Sequence, residues 1–294
     1  MNKFLFLNGD DRPIAVMIDN HIDALPQAAI SKAYSVYEII VEGGETRLMA
    51  LFKGQDLEKI GPIRSSRHYF LDYALENDAI YVHYGWSPQA KKDIKKLKVN
   101  NINGLVQSAG DFWRVSDKYA PHNAVSATKN ILEIAEANGY KTKSNAESVL
   151  NYSSNEINLE KGQDANEFSI VYSDYNTVSY KYDSEAKKYQ RYTRGTKQVD
   201  WDTNVEVKVK NIIITFVQNS TLNDGSNKGR QTLDNIKTCD GYYITNGKAI
   251  KIKCEKTSRE GKTVYKDLDG KEIKVNDGNT FFQICPINAQ VTFK

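Results

Sequence analysis

The 294-residue chain has few cysteines, no long apolar run and no large excess of charge of either sign, and each of these features argues against a class of protein. No run reaches the roughly 18 apolar residues of a transmembrane helix, so we expect no membrane span. A net charge of +3, with evenly spread basic residues, disfavours a nucleic-acid partner. The three cysteines lack the spacing of a zinc site. They leave open one disulfide with a free thiol, or three reduced thiols.

Familiar catalytic sequence patterns are absent as well. No G-x-S-x-G, P-loop, dinucleotide-binding or H-E-x-x-H pattern occurs. We therefore predict no cofactor, and the sequence leaves open whether the protein is an enzyme. Residues 1–7 hold only four consecutive apolar residues, fewer than the about 7–15 of a signal-peptide core, and we interpret them as a disordered lead-in.

The order of apolar segments and turn residues predicts an α+β chain in two parts. Strands alternate with helices in residues 10–145, which indicates an α/β domain with a mixed sheet flanked by helices. Residues 146–167 are polar and form a predicted linker or surface loop. In residues 168–294 helical periodicity disappears, and Asp-Gly and Asn-Gly turns separate short strands. We predict a β-rich second domain built of hairpins.

Three arginines and two serines lie close together between residues 47 and 67, just after a Glu-Gly-Gly turn at residues 42–44. We predict a buried strand over residues 47–53, then a helix that begins at one of the two serines and continues to about Glu76. Backbone N–H groups at a helix start favour an anion, and guanidinium groups add paired donors. The sequence thus predicts an anion site, and its ligand-binding candidates are Arg47, Arg64, Ser65, Ser66, Arg67, Glu42 and Asn123.

These candidates also have a purely structural interpretation. The arginines could form salt bridges with Glu38, Glu42 or Asp72, and the sequence does not decide between this and ligand binding. Asn123 follows a Pro-His pair and could be a turn or cap residue. The tyrosines of residues 172–192 could stack on a sugar, but a half-buried sheet produces the same alternation, and we favour that interpretation.

Histidines and carboxylates at the ends of predicted strands are candidates for chemistry. Asp19 and Glu42 lie at the edge where an open α/β sheet binds its ligand. A general base could come from His21, His83 or His122, and we take His122 and His83 as the catalytic candidates. The two carboxylates could hold a divalent cation, but no spacing in the sequence requires one, and we predict no metal site.

Four motifs occur together in the first half of the chain. They are Pro-Ile-Ala-Val-Met-Ile-Asp-Asn-His at residues 13–21, Glu-Gly-Gly-Glu-Thr-Arg at 42–47, Gly-Pro-Ile-Arg-Ser-Ser-Arg-His-Tyr-Phe at 61–70 and Pro-His-Asn at 121–123. With these motifs the chain resembles the YerB family of predicted bacterial lipoproteins of unknown function, mostly from Gram-positive bacteria. Leu25 is a departure, since a basic residue often precedes Pro-Gln in that family.

The resemblance implies a secreted, lipid-anchored protein of two domains, the second β-rich, whose signal peptide and anchoring cysteine lie outside this sequence. The resemblance does not indicate a reaction. It implies that the protein contacts the membrane only through its lipid anchor. We expect an extracytoplasmic protein that binds an anionic cell-envelope ligand, a polymer phosphate or a carboxylated glycan, through its arginines. One alternative is a hydrolase or transferase acting on a phosphodiester or glycosyl bond. A second is a protein-interaction module using the β-rich domain. The sequence does not indicate an oligomeric state.

Overall fold

A computed structural model describes residues 9–294, so the lead-in at residues 1–7 lies outside the described residues. Over the described range most of the regular secondary structure is β-strand, with three α-helices in the first half. This confirms the expected β-rich α+β class. Of the helices in residues 9–294, none has the length and apolar character needed to cross a membrane.

The first half combines strands, α-helices and short 3-10 helices. The strands are β1 (Ile14–Asp19), β2 (Ser35–Ile40), β3 (Thr46–Phe52), β4 (Ile80–His83), β5 (Asn101–Asn103), β6 (Phe112–Arg114) and β7 (Ala124–Ser126). The α-helices are α1 (Phe70–Glu76), α2 (Pro88–Lys96) and α3 (Thr128–Ala137). The 3-10 helices are Ile22–Ala24, Ile30–Lys32, Glu42–Gly44 and Gly104–Val106.

From residue 138 to residue 294 the structure describes strands and no helix. They are β8 (Tyr152–Ser153), β9 (Gln163–Asp164), β10 (Glu167–Ser173), β11 (Asn176–Asp183), β12 (Lys188–Thr193), β13 (Thr196–Lys197), β14 (Lys208–Val209), β15 (Asn211–Thr221), β16 (Gln231–Asp234), β17 (Thr238–Thr245), β18 (Lys248–Glu255), β19 (Val264–Lys266), β20 (Val275–Asn276), β21 (Thr280–Pro286) and β22 (Gln290–Phe293). Short β8 and β9 fall within the polar segment 146–167 and pair with β20 and β18.

Most of these strands form one continuous twelve-stranded sheet that contains both halves of the chain. Its order is β19-β18-β17-β15-β21-β2-β3-β1-β4-β5, with β16 paired to β15 and β9 paired to β18. Strand β21, near the end of the chain, lies parallel to β2 and joins the two halves. A second, six-stranded sheet has the order β13-β12-β11-β10-β22, with β14 beside β12. The two parts that the sequence distinguishes therefore share a sheet.

The central strands of the large sheet are covered on both faces, which explains their nearly continuous apolar sequence. Every residue of β1, β2 and β3 is buried. One face packs against the six-stranded sheet and α3, in a core that includes Phe168, Tyr180 and Ile131. The other face packs against α1 and α2, in a core that includes Phe70 and Ile94. Polar residues at the ends of these strands, such as Asp19 and Thr46, are also buried.

Two groups of side chains from the second half, tyrosines and cysteines, belong to these cores. Tyr172, Tyr180 and Tyr189 are buried beneath the six-stranded sheet. Their burial agrees with the sheet-packing interpretation and removes them from any sugar-binding surface. All three cysteines are buried and free. Of the two alternatives, one disulfide with a free thiol or three reduced thiols, the structure has the second.

The helix expected at the two serines begins later, and this correction changes the nature of the predicted anion site. Helix α1 starts at Phe70, and no side chain caps it. The preceding segment runs extended beside the ends of β1 and β4. There the Arg64 N–H donates to Met17 O (2.8 Å) and the Ser66 N–H to Gly85 O (2.9 Å). Because these amides are already bonded, side chains rather than a helix start must bind an anion.

Candidate functional site

An open cleft of about 470 Å³ lies where β1 ends, β3 begins and the segment before α1 passes beside them. Asp19, the last residue of β1, is the register partner of Arg47 in β3. The loop after β2, the loop containing His122 and the turn between β15 and β16 complete the walls. The lining residues are Asp19, His21, Val41, Glu42, Glu45, Thr46, Arg47, Arg64, Ser65, Arg67, Trp86, His122, Lys228 and Arg230. Five of them are basic and three acidic, so positive charge is in excess.

The Glu-Gly-Gly turn places Glu42 in the cleft wall. Gly43 and Gly44 both have left-handed backbone conformations, with φ of +66° and +74°. A Cβ at Gly44 would lie 2.8 Å from the Cβ of Ser173, so only glycine fits against the six-stranded sheet there. The turn therefore reverses the chain between β2 and β3 while the Glu42 carboxylate stays among the arginines.

One carboxylate is shared among three guanidinium groups in this cleft. Glu42 Oε1 accepts a hydrogen bond from Arg67 Nε (2.6 Å) and forms an ion pair with its Nη2 (2.5 Å). The same oxygen lies 3.7 Å from Arg230 Nε, and Glu42 Oε2 lies 4.0 Å from Arg47 Nη2. Burial raises the pKa of Glu42, but Arg67 and Arg47 outweigh it and hold that pKa below its ordinary value. Glu42 is thus ionised, yet its single charge cannot neutralise both Arg47 and Arg67, while Arg230 has a second partner in Asp224.

Arg47 is the least compensated of these cations. It is only 8% exposed, and its Nη1 donates to the Ser65 carbonyl (2.6 Å) rather than to a carboxylate. Burial, together with the charges of Arg67 and Arg64, lowers the pKa of the Arg47 guanidinium to about 10, although Glu42 opposes the shift. A pKa lowered this far means that the surroundings of the Arg47 guanidinium disfavour its positive charge. An anion bound beside it would offset that effect.

A second group of polar side chains in the cleft centres on Asp19, which is 3% exposed. Its Oδ2 accepts a hydrogen bond from His122 Nδ1 (2.7 Å) and lies 3.0 Å from Arg64 Nε. Its Oδ1 accepts from the His21 backbone N–H (3.1 Å). The His21 and His122 rings stack with centroids 4.5 Å apart. These two histidines, with Asp23, are also the side chains in the described chain whose spacing could hold a metal ion.

Most of the residues that the sequence selected do line this cleft. Arg47, Arg64, Ser65, Arg67, Glu42 and His122 converge there, together with Asp19 and His21. The bracing interpretation of the arginines also holds in part, because Arg67 pairs with Glu42. The other two carboxylates considered for bracing have different partners, since Glu38 pairs with Arg191 and Asp72 with Arg259.

Three candidates do not line the cleft. Ser66 is fully buried and its Oγ accepts from Tyr81 OH (2.9 Å). His83 is fully buried; its Nδ1 contacts Gly85 O (2.8 Å) and its Nε2 contacts Asn101 Oδ1 (3.1 Å). Burial lowers the pKa of His83, which keeps its ring neutral inside the fold.

Asn123 is the third candidate outside the cleft, and it proves to be a turn residue. Its Nδ2 donates to the carbonyls of Val115 (3.0 Å) and Lys118 (3.1 Å), and its Oδ1 accepts from Arg114 (2.6 Å). These bonds close the loop that presents His122. A chain reversal was one of the two interpretations that the sequence offered for this residue.

Sequence reasoning missed Trp86, Glu45, Lys228 and Arg230. The last two come from the turn between β15 and β16, far along the chain from the arginine motifs. Arg230 also pairs with Asp224 through its Nη1 (2.5 Å). An isolated Lys-Gly-Arg in a polar turn carries no signal of this placement, which depends on the pairing of β15 with β21 and of β21 with β2.

Two family models match this chain, one in each half. Residues 7–141 match the family described as "Protein of unknown function (DUF3048) N-terminal domain". Residues 168–282 match the corresponding C-terminal domain, also of unknown function.

A curated relative and a solved structure extend this likeness over nearly the whole chain. The chain is 33% identical over 273 residues to "Putative lipoprotein YerB" of Bacillus subtilis (strain 168), an alignment that covers 91% of this chain and 76% of that protein. It is also similar to the crystal structure of the YerB protein from Bacillus subtilis. That match has a TM-score of 0.85 and 31% identity, and covers 96% of this chain and 94% of the other. The chain therefore belongs to the YerB-like two-domain family.

Proposed function

We propose that this protein works outside the cytoplasmic membrane and binds an anionic group of a cell-envelope polymer in the arginine cleft. The observation that carries the proposal is the sharing of the single Glu42 carboxylate between the buried Arg47 and Arg67, with Arg230 beside them. A buried cation without a full partner costs several kcal/mol, and an incoming phosphate or carboxylate would offset that cost. The arrangement is therefore more stable with an anion bound than without one.

The proposed ligand follows from guanidinium geometry and from location. A planar guanidinium donates two parallel hydrogen bonds, which fit the oxygens of a phosphate or a carboxylate equally well. A relative named as a lipoprotein supports a location at the outer membrane face, with this chain held there by a lipid anchor. At that surface, phosphate-bearing wall polymers and carboxylated glycans are abundant anions, whereas nucleotides are scarce.

Substitution of the two neighbouring arginines tests the proposal. Arg64→Ala combined with Arg67→Ala should weaken binding of glycerol phosphate polymer, or of a polyuronate, by at least about tenfold, because two charged donors are lost. Isothermal titration at low and at physiological salt would measure this. Arg64→Lys with Arg67→Lys keeps both charges but removes the paired donors, and should recover only part of the affinity.

A matched control removes two positive charges elsewhere. Lys95 and Lys96 are exposed on α2, so Lys95→Ala with Lys96→Ala changes the net charge equally without touching the cleft. Circular dichroism of every variant establishes that it is folded. Equal loss of affinity in the control would show that binding depends on overall charge, and unchanged affinity in the arginine variant would overturn the proposal.

The pairing of Asp19 with His122 favours one further candidate function, a hydrolase or transferase acting on a phosphodiester or glycosyl bond. With Nδ1 of His122 held by Asp19, Nε2 is left to accept a proton from water or from a hydroxyl group, while Arg64 stabilises charge that develops on the substrate. The test is turnover of a phosphodiester or glycoside from the envelope. His122→Gln should abolish turnover and leave binding within about threefold, because Arg47, Arg64 and Arg67 supply the charges that bind the ligand.

A further inference from the structure

The cleft contains a second cluster beside the arginines, made of two imidazoles and one carboxylate. His21, Asp23 and His122 each offer one ligand atom, and these atoms lie within 4.8 Å of one another. We propose that these three side chains bind a divalent transition metal ion such as Zn²⁺. The anion proposal does not require this ion, so either can fail without the other.

The donor set determines which ions fit. Two imidazole nitrogens and a carboxylate oxygen are typical ligands of zinc and of neighbouring transition metals, whereas Ca²⁺ and Mg²⁺ prefer sets made only of oxygen. Ligands around a tetrahedral ion with bonds of about 2.1 Å lie about 3.4 Å apart. Nδ1 of His21 and an oxygen of Asp23 are already 3.4 Å apart. This nitrogen also accepts a long hydrogen bond from the Asp23 backbone N–H (3.3 Å), which the ion would replace. The Asp23 side chain is 68% exposed and can turn toward the ion without disturbing the core.

Asp19 supplies the supporting contacts that a metal site needs. It accepts from His122 Nδ1 (2.7 Å), which leaves Nε2 of the same ring for the ion, and it accepts from the His21 backbone N–H (3.1 Å). A carboxylate that holds the second nitrogen of a ligating histidine fixes the ring and makes it more basic. Here one nearly buried carboxylate positions both of the residues that would supply imidazole ligands.

The stacked rings and the nearby cations define how the ion would be held. The ring planes of His21 and His122 are inclined by only 17°, so the two rings lie face to face at the cluster. Arg64 contacts the same oxygen of Asp19 as His122 does, and its positive charge lowers cation affinity through repulsion, which the negative charge of Asp19 partly offsets. An ion on Nε2 of His122 would also remove the lone pair that a general base needs. Metal binding and catalysis by a free His122 base are therefore mutually exclusive.

The experiment is a Zn²⁺ titration of the protein, prepared without a histidine tag and treated with a chelator. Competition with a chromogenic zinc indicator should show one ion per chain, with micromolar or tighter affinity. His21→Ala and His122→Ala should each weaken binding at least about tenfold, since each removes one of three protein ligands. Asp23→Asn should act in the same direction. Because Asp23 is exposed, this last variant tests the site without any risk to folding.

Two controls distinguish Zn²⁺ binding at this cluster from Zn²⁺ binding elsewhere on the chain. His68 is one of the chain's four histidines and contacts Thr232 Oγ1, not the cluster, so His68→Ala should bind Zn²⁺ as the unmodified chain does. Arg67→Ala removes a positive charge from the cleft and should not weaken Zn²⁺ binding, although it should weaken phosphate binding. The proposal is overturned if the unmodified protein binds no Zn²⁺ at 1:1 stoichiometry, or if the His21→Ala, His122→Ala double variant binds it equally well.

Discussion

Arg191 and Glu38 form an ion pair with no exposed side-chain surface on either residue, with Arg191 Nη2 2.6 Å from Glu38 Oε2. The pair joins β12 of the small sheet to β2 of the large one. Glu38 Oε1 also accepts from Thr46 Oγ1 (2.8 Å) and from Asn20 Nδ2 (3.2 Å). Thr46 and Asn20 are the direct neighbours of Arg47 and Asp19. A buried polar network between the sheets therefore lies directly behind the cleft and fixes the strand ends that form it.

Removing one partner of this pair should destabilise the fold strongly. Arg191→Met leaves the Glu38 carboxylate buried without its cation, and we expect the free energy of unfolding to fall by about 3–5 kcal/mol. Urea denaturation followed by circular dichroism measures the change. Adding Glu38→Gln to the same chain removes the uncompensated charge and should restore part of the loss.

The exposed pair between Lys253 and Asp240 is the control for this prediction, because those side chains are 46% and 74% exposed. Lys253→Ala should change the free energy of unfolding by less than about 1 kcal/mol. Similar losses at the buried and the exposed pair would show that burial does not set the cost.

Glu42 should oppose anion binding even though it lies in the binding cleft. It occupies donors of Arg67 and adds a negative charge near Arg47 and Arg230. Glu42→Gln should therefore tighten phosphate binding by about 1 kcal/mol, or roughly fivefold, the interaction of one charge at this distance in a solvated cleft. Arg67 keeps its bond from Nη1 to Ser66 O (2.7 Å), so it remains oriented.

Titration calorimetry at constant ionic strength would measure this gain. Glu45→Gln provides the comparison, since Glu45 also lines the cleft but pairs with Arg194, outside the arginine cluster. We expect a smaller effect there. Weaker phosphate binding in Glu42→Gln would instead mean that Glu42 acts chiefly as a clamp on Arg67.

The sequence indicates those parts of the cleft lining that depend on local chain geometry. A Gly-Gly pair between two apolar runs indicates a tight reversal, and the motif that follows places Arg64 and Arg67 near it. The β-rich second half is likewise visible in its Asp-Gly and Asn-Gly turns. The convergence of Glu42 with Arg67 follows from these local features.

What could not be predicted depends on long-range pairing. The helix expected at Ser66 fails because its amide finds a better partner in Gly85, which only the packing of β4 brings near. Arg230 reaches the cleft because β21 inserts between β15 and β2, a pairing between opposite ends of the chain. The histidine cluster also depends on a long-range contact, since Asp19 and His122 are far apart in sequence. No local pattern encodes such contacts.

The close approach at Gly44 predicts a destabilising substitution with a matched control. Gly44→Ala places a Cβ 2.8 Å from Ser173 and 3.1 Å from Tyr175 OH, in a backbone conformation with φ of +74°. Gly139 has nearly the same conformation, with φ of +71°, but nothing lies within 4 Å of the added Cβ. Gly139→Ala should cost only the backbone strain, about 1–2 kcal/mol. Gly44→Ala should cost measurably more, because the steric overlap adds to the backbone strain. Thermal unfolding of the two variants checks the difference, and equal costs would contradict a steric role for Gly44.

His68 should make stability depend on pH between about 4 and 6.5. Burial lowers its pKa from 6.5 to about 4; Asp93 opposes that shift, while Arg259 and Arg67 reinforce it. Below pH 6.5 the unfolded chain therefore takes up a proton that the folded chain does not, so the free energy of unfolding falls as the pH is lowered toward 4. The contribution is fully present above pH 6.5 and amounts to at most about 3 kcal/mol.

His68→Gln should flatten the curve of stability against pH in this window, while His83 continues to contribute its own dependence. Proton NMR of the imidazole should show the His68 signal titrating near pH 4, and a midpoint near 6.5 would contradict the prediction.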